Sequence, residues 1–174
     1  MTHAAHDKRL LLLRHAKAEQ TFGVLDHDRR LTDRGRRDAA EVGRWLARKG
    51  IVCDLVICST AARTRETWDA AAQAGARTEF IEYRRQVYLG GSAGVLQSIR
   101  EDSGDSRTIL VVGHAPTMPA LASALSDGEG SAKAHAALGE GYPTSGLAVL
   151  SYAGDWTMLG PASCSLDAFF VGRG

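Results

Sequence analysis

The stretch RLLLLRHAKAEQ, residues 9–20, contains four consecutive leucines and ends in several polar side chains. Leu10 to Leu13 run without a break into Arg14 and His15. Polar and apolar residues do not alternate in this run, which predicts a central strand that is covered on both faces. Covered strands of this kind are typical of parallel sheets with helices on both sides. The stretch therefore predicts an α/β fold in which a buried strand carries an arginine and a histidine at its end.

The rest of the chain alternates strand-like and helix-like segments. Apolar runs predict strands at residues 10–13, 51–58, 78–83 and 107–112. Helices are predicted between a Thr32 cap and a stop at Gly50, from Thr60 to Gly75, and over residues 92–100. Pro116 stands where the first turn of a further helix tolerates proline. Together these elements predict a three-layer sandwich, with a mostly parallel central sheet flanked by helices.

Two segments near the end of the chain predict less regular structure. Residues 127–144 contain four glycines and are interpreted as a long flexible loop. Residues 146–152 and 155–159 flank Ala153 and Gly154, which predicts a terminal hairpin. Residues 1–8 are interpreted as a polar leader.

Length and composition favour a single cytoplasmic domain. The chain has 174 residues, of which 44% are hydrophobic and 24% charged, which predicts one domain over residues 1–174 with a core at about 9–160. The net charge of +1 disfavours nucleic acid or an anionic membrane as the partner. Its apolar runs are too short to cross a membrane. Cys53, Cys58 and Cys164 lack metal-ligand spacing and are expected to be buried free thiols in a reducing cytosol.

Polar residues follow three of the four predicted parallel strands, at the edge where open α/β sheets bind ligands. They are Arg14 and His15, then Ser59, Thr60 and Arg63, and then Gly113 and His114. Arg63 falls in the first turn of its helix, beside unpaired N–H groups and the positive end of the helix dipole. This edge combines two guanidinium groups and two imidazoles, without a comparable cluster of carboxylates. The composition favours a pocket for a dianion, with phosphate as the leading candidate.

The remaining histidines are predicted to stand outside this site. They lie in the leader, in a polar loop or in a glycine-rich loop, and are His3, His6, His27 and His135. We expect all of them to be solvated side chains without a role in the pocket.

Several segments resemble the signature motifs of the histidine phosphatase superfamily, in the variant typical of its small SixA-type phosphohistidine phosphatases. LLLLRHAKA resembles the Arg-His signature, and DHDRRLTDRGRRDA at residues 26–39 resembles an Asp-x-x-Arg-x-Leu-Thr-x-x-Gly segment. CSTAARTRET resembles the superfamily's Ser-x-x-x-Arg-x-x-x-Thr helix start, VVGHAP its second-histidine motif, and PTSGLAVLSY its closing strand. The motifs occur in the expected order from Leu10 to Tyr152.

The resemblance implies a phosphoglycerate mutase-like fold and a phosphatase that forms a phosphohistidine intermediate. His15 would be the nucleophile, and an acceptor should hold its other ring N–H and fix the tautomer. Arg14, Arg63 and His114 would bind the phosphoryl oxygens. The implied mechanism needs neither a metal nor a cofactor. The implied substrate is a phosphorylated protein side chain such as phosphohistidine, or a small phosphorylated molecule.

The general acid and one phosphate contact have weaker signals in the sequence. Glu82, by the short third strand, is the first candidate for the acid, ahead of Glu19, Asp26 and Asp28. Thr21 stands where many relatives place an asparagine on the phosphate, and it is the candidate for that contact.

Other functions stay open at this level. A cysteine-dependent phosphatase would use Cys58 and Arg63, but Ser59 to Ala62 provide one residue fewer than its phosphate loop needs. A phosphatase of small phosphate esters and a non-catalytic phosphate-binding protein would share the same fold. A phosphomutase is disfavoured because the compact chain has little room for an enclosing insertion.

Overall fold

The computed structural model describes residues 8–174, so the expectations for the leader, His3 and His6 lie outside the described residues. Seven strands form one sheet: β1 (Lys8–Arg14), β2 (Cys53–Ser59), β3 (Thr78–Arg84), β4 (Thr108–Gly113), β5 (Ser126–Gly130), β6 (Gly146–Tyr152) and β7 (Cys164–Val171). Their order across the sheet is β3-β2-β4-β1-β6-β7-β5. Strand β6 is antiparallel to β1 and β7, whereas the other pairings in the described sheet are parallel. The predicted mostly parallel sheet is confirmed.

Helices cover both faces of this sheet: α1 (Asp33–Arg48), α2 (Ala62–Gln73), α3 (Arg85–Leu89), α4 (Gly91–Asp102), α5 (Thr117–Leu125) and α6 (Ala132–Glu140). Short 3-10 turns occur at Asp26–Asp28 and Trp156–Met158. One core cluster includes buried residues of α1 and α2, and a second includes residues of α4, α5 and α6. The two clusters lie on opposite faces of the sheet, so the predicted three-layer sandwich is confirmed. Residues 8–174 form no helix that is both long and apolar enough to span a membrane.

Strand β1 has a fully buried centre and carries the half-buried Arg14 at its end. Leu10 and Leu12 belong to one core cluster, Leu11 and Leu13 belong to the other, and all four are 0% exposed. Full burial of a leucine side chain contributes roughly 1.5–3 kcal/mol. Because β1 pairs with β4 on one side and β6 on the other, its end is held from both neighbours.

The predicted helix limits around α1 are confirmed by its capping contacts. The Thr32 side chain accepts a hydrogen bond from the Gly35 amide, and the chain leaves the helix at Gly50, whose φ is +64°. Helix α1 then packs closely on α2 at Gly43, where a Cβ would lie 2.0 Å from the Ala71 carbonyl oxygen. Only glycine permits this approach, which packs the last turn of α2 directly on α1.

The flexible loop predicted at residues 127–144 is wrong. Residues 126–130 form β5, which pairs with β7, and α6 follows with Ser131 as its cap, accepting from the Ala134 amide. Gly130 ends β5 and Gly141 follows α6, and they adopt positive φ values of 107° and 135°, which glycine allows without strain.

The terminal hairpin predicted for residues 146–152 and 155–159 is also wrong. Strand β6 pairs instead with β7, which extends the sheet to Val171, past the predicted end of the core at about residue 160. Residues 156–158 form a 3-10 turn because the Asp155 carboxylate accepts a hydrogen bond from the Thr157 amide.

Candidate active site

Two adjacent parallel strands bring His15 and His114 together. Arg14 ends β1, Gly113 ends β4, and these two residues are paired in the sheet. The backbone N–H of His15 donates to the Gly113 carbonyl at 2.9 Å, which continues the ladder by one residue. The imidazole centroids of His15 and His114 are consequently 5.3 Å apart. The spacing allows both rings to contact one tetrahedral anion.

The tautomer of His15 follows from its hydrogen bond to the backbone. Its Nδ1 lies 2.7 Å from the Ala16 carbonyl oxygen, and a carbonyl can only accept, so the proton resides on Nδ1. This carbonyl is the acceptor expected from the sequence, and it leaves the lone pair on Nε2. Burial lowers the pKa of His15 to about 4, and the nearby cations of Arg63 and Arg14 add to that effect against the Ala16 hydrogen bond. The His15 imidazole is therefore neutral at pH 7, with a lone pair available on Nε2.

His114 is oriented by Ser59 at the end of β2. Its Nε2 lies 2.8 Å from Ser59 Oγ, which also accepts from the Ala61 amide at 3.3 Å. Among the contacts of residues 8–174, Nε2 is the acceptor available to the Ser59 hydroxyl proton, so Nδ1 carries the ring proton. Burial, followed by the proximity of His15, lowers the pKa of His114 to about 3. The His114 imidazole is therefore neutral at pH 7.

Two arginines complete the cationic part of the cluster. Arg14 Nη1 donates to the Tyr142 carbonyl at 2.8 Å, and Arg63 stands in the first turn of α2 with 6% exposure. Arg14 Nε, Arg63 Nε and His114 Nδ1 are buried and have no hydrogen-bond partner among the described residues. Buried donors are normally satisfied. Three unsatisfied donors on one cluster are the chemistry that an oxyanion such as phosphate requires.

Asp26 holds Arg63 from the loop before α1. Its carbonyl accepts from Arg63 Nη1 at 2.7 Å, and its carboxylate lies 3.1 Å from Nη2. The same carboxylate accepts from Tyr88 Oη at 2.8 Å and from Arg29 Nη1 at 3.0 Å. The hydrogen bond from Tyr88, with those from Arg29 and Arg63, holds the pKa of Asp26 well below its ordinary range. Asp26 is thus an anion that positions Arg63, and it is a poor proton donor.

The prediction that His27 is a solvated bystander is wrong. Its Nε2 lies 2.9 Å from Thr60 Oγ1, and its Nδ1 lies 3.6 Å from the Asp28 carboxylate. Its ring contacts Tyr88 edge-on at 4.9 Å, and the Tyr88 ring lies 5.6 Å from that of His114. His27 therefore belongs to the cluster. Its partners are distant in sequence, and the one local signal is its position inside the segment 26–39 that carries the family resemblance.

Two other residues predicted for the site are not joined to it. Glu82 lies in the edge strand β3 and pairs with Arg84 at 3.5 Å, while Arg84 also binds Asp102 at 2.7 Å. Thr21 is exposed, and its side chain makes no hydrogen bond with any described residue. His135 stands apart from the cluster, as predicted, because it lies half-buried on α6 and its ring contacts the Glu129 carbonyl.

The backbone of Ser145 contacts the end of β1, a role that the sequence did not indicate. Its backbone N–H lies 3.2 Å from both the Arg14 and the His15 carbonyl oxygens. Ser145 adopts φ of +61°, is 0% exposed, and its Oγ has no hydrogen-bond partner among the described residues. A strained backbone residue thus fixes the direction of the chain between Arg14 and His15.

The three cysteines are buried and free, as predicted. Cys58 is the one nearest the cluster in sequence, and its Sγ donates to the Ser59 carbonyl at 3.3 Å. Burial raises the pKa of Cys58 to about 12. Because the thiolate is the reactive form, Cys58 is not prepared to act as a nucleophile.

A cavity of about 570 Å³ lies between α1 and α2, away from these residues. Its lining includes Arg30, Arg36 and Glu66, and Glu66 pairs with both arginines at 2.7 and 3.5 Å. Because its lining contains neither histidine of the cluster, this cavity is not the candidate site. Residues 8–174 contain no group of three or more His, Cys, Asp or Glu side chains that could hold a metal ion.

Comparisons with known proteins all point to one protein family. Residues 10–87 match the sequence profile of the histidine phosphatase superfamily (branch 1). The uncharacterized protein Rv1276c of Mycobacterium tuberculosis is 39% identical over 163 residues, which cover 92% of this chain and 100% of that protein.

Two solved structures share both fold and sequence with this chain. A protein of Nakamurella multipartitia, provisionally named phosphohistidine phosphatase SixA, has 37% identity and a TM-score of 0.80 over 95% of this chain and 96% of its own. A protein of Agrobacterium tumefaciens with the same provisional name has 34% identity and a TM-score of 0.75, with 94% and 98% covered.

Proposed function

The chain belongs to the histidine phosphatase superfamily, and we propose that it removes phosphoryl groups, from phosphohistidine side chains of proteins in particular, by way of a phosphohistidine on His15. One observation carries the proposal. The free Nε2 of His15 stands beside His114 and two arginines that have unsatisfied donors. A neutral nucleophile next to fixed cations is the arrangement that phosphoryl transfer requires.

The first step transfers the phosphoryl group to the enzyme. The lone pair of His15 Nε2 attacks phosphorus while the bond to the leaving group breaks on the opposite side. Arg14, Arg63 and the Nδ1–H of His114 bind the phosphoryl oxygens, where charge is spread in the transition state. The Ala16 carbonyl keeps Nδ1 protonated and balances the positive charge that develops on the ring.

The second step regenerates the enzyme. Water attacks the phosphoryl group of phosphorylated His15, the bond between phosphorus and Nε2 breaks, and its electron pair returns to the ring. Inorganic phosphate leaves the cluster. The same three donors serve both steps, because the phosphorus atom lies between the same groups in each.

Two observations support a protein substrate over a small one. The relative from Nakamurella multipartitia, with 37% identity, carries a provisional phosphohistidine phosphatase name. The outer part of the site is open, since the His27 side chain beside Tyr88 is 42% exposed. An open rim accepts a side chain that projects from another protein.

Because its three cysteines are buried free thiols, we place the enzyme in the cytoplasm.

The test combines trapping with a substrate panel. Brief exposure to a labelled phosphoryl donor should leave an acid-labile, base-stable phosphate on the wild-type chain and none on His15→Ala. Rates on a phosphohistidine protein, phosphoarginine and sugar phosphates are then compared. A preference for sugar phosphates would instead assign the enzyme to small esters. Binding of phosphate without turnover or labelling would make the protein a non-catalytic binder.

A further inference from the structure

We propose that His27 is the proton donor for the leaving group and that it acts through the hydroxyl of Thr60. This inference rests on the proposed phosphatase function and supplies the acid that the function lacks. The sequence candidate Glu82 does not fill this place, because it pairs with Arg84 in edge strand β3.

The geometry joins three groups in series. Asp28 Oδ1 lies 3.6 Å from His27 Nδ1, and His27 Nε2 lies 2.9 Å from Thr60 Oγ1. A protonated ring therefore forms an ion pair with Asp28 and donates Nε2–H to Thr60. The Thr60 oxygen accepts that hydrogen bond and keeps its own O–H to donate onward.

The position of this series suits departure of the leaving group. Thr60 directly follows Ser59, which holds His114, and precedes Arg63 in the first turn of α2. The ring contacts run from His15 to His114, on to Tyr88, and then to His27. His27 therefore lies farther from His15 than His114 does in this series, with Tyr88 between the two rings. An in-line reaction sends the leaving group away from His15, toward the open side where His27 stands.

Neighbouring polar groups are engaged in other ways. Asp26 is held as an anion by Tyr88, Arg29 and Arg63. The Tyr88 hydroxyl donates its proton to Asp26. His114 already contacts the Ser59 hydroxyl, whereas His27 Nε2 contacts the hydroxyl of the next residue, Thr60.

The step balances with one proton. His15 Nε2 forms a bond to phosphorus, and the bond from phosphorus to the leaving group breaks with its electron pair on the leaving group. Thr60 gives its hydroxyl proton to an ester oxygen, or to the unsubstituted ring nitrogen of a phosphohistidine. Thr60 takes a replacement from His27 Nε2–H at the same time. In the second step neutral His27 recovers a proton, through Thr60, from the attacking water.

The experiment compares a substrate that needs a proton with one that does not. kcat/KM, which reports transfer to His15, is measured on a phosphohistidine peptide and on 2,4-dinitrophenyl phosphate. For His27→Gln and Thr60→Val, we expect the loss on the peptide to exceed the loss on the dinitrophenyl ester by about tenfold or more. Thr60→Ser should restore most of the difference because it keeps the hydroxyl.

The matched control is His135→Gln, which removes a histidine on helix α6, away from the cluster, and should keep both rates. Equal losses on both substrates, or no loss on either, would overturn the role of His27 while leaving His15 intact. Failure of the phosphatase function itself is separate, because it would appear as wild-type turnover in His15→Ala. Far-UV circular dichroism and a urea unfolding curve for each variant distinguish a chemical loss from unfolding.

Discussion

Asp26 accepts hydrogen bonds from both terminal nitrogens of Arg63, with its carbonyl oxygen 2.7 Å from Nη1 and its carboxylate 3.1 Å from Nη2. The buried guanidinium is thereby turned so that Nε has no protein partner among the described residues. Asp26, which precedes α1, thus orients the guanidinium group of Arg63, a residue of α2 that lies 37 positions later in the chain.

Asp26→Asn should weaken phosphate binding more than it weakens the fold. Loss of one charge-assisted hydrogen bond costs about 1.5–3 kcal/mol, so kcat/KM should fall by about 10- to 100-fold. Calorimetric titration with inorganic phosphate gives the matching loss of affinity. The control is Asp33→Asn, an exposed carboxylate paired with Arg36, which should change neither value. Wild-type affinity in Asp26→Asn would contradict the positioning role.

The pH dependence of turnover should show a displaced acid limb. Burial and the neighbouring cations lower the pKa of His15 to about 4, so the nucleophile stays neutral well below the range of an ordinary histidine. After correction for ionisation of the phosphate substrate, kcat/KM should begin to fall only near about pH 4. An acid limb near about pH 6.5, the ordinary histidine range, would show that the ring is not desolvated in the free enzyme.

The same two histidines should make the protein less stable as the solution is acidified. Folded pKa values of about 4 and 3 for His15 and His114 lie below the unfolded value. Unfolding therefore takes up protons, so this part of the stability is complete above about pH 6.5 and is lost as the pH falls toward the folded values. Urea unfolding at pH 7 and pH 5 measures the free energy of unfolding that is lost on acidification. We expect this loss to be smaller for His114→Asn than for wild type, by on the order of 1–2 kcal/mol.

Cys58→Ala should leave turnover within about threefold of wild type, whereas His15→Ala should lower it by about a thousandfold or more. The reason is that burial keeps the Cys58 thiol protonated, with its pKa raised to about 12. Iodoacetamide should likewise fail to inactivate the folded enzyme. Inactivation in step with alkylation of Cys58 would revive the cysteine-dependent mechanism.

Ser145→Gly should stabilise the protein. The change removes both a positive φ of 61° on a residue with a side chain and a buried hydroxyl without a partner among the described residues. These two gains exceed the entropy cost of glycine, so the net effect should be about 1 kcal/mol in urea unfolding. Ser145→Val should destabilise, because a β-branched residue is strained at this φ. Loss of stability in Ser145→Gly would mean that the hydroxyl has a partner in solution.

The sequence was informative wherever the signal was local. An unbroken apolar run predicted β1, and the rule that ligands bind beyond parallel strands brought Arg14, His15, Arg63 and His114 to one edge. Strand β5 could not be found in this way, because its residues SDGEG are polar and largely exposed, and only pairing with β7 makes them a strand. Strand β7 also replaces the predicted partner of β6.

Non-local contacts explain the errors within the site. His27 reads as a polar loop residue until Thr60, 33 positions away, is folded beside it. The prediction for Thr21 rests on analogy with relatives, and its exposed side chain has no contact with the cluster among the described residues. Ser145 gives no compositional signal, because its function depends on its backbone amide and not on its side chain.

The ladder that ends at His15 and Gly113 has a consequence for how such enzymes diversify. Both imidazoles are mounted on neighbouring strands of one sheet, whereas Asp26, His27 and Tyr88 arrive on a loop and the short helix α3. Mutations in the loop and in α3 can therefore alter substrate preference, while the sheet keeps the distance between the two imidazole rings constant.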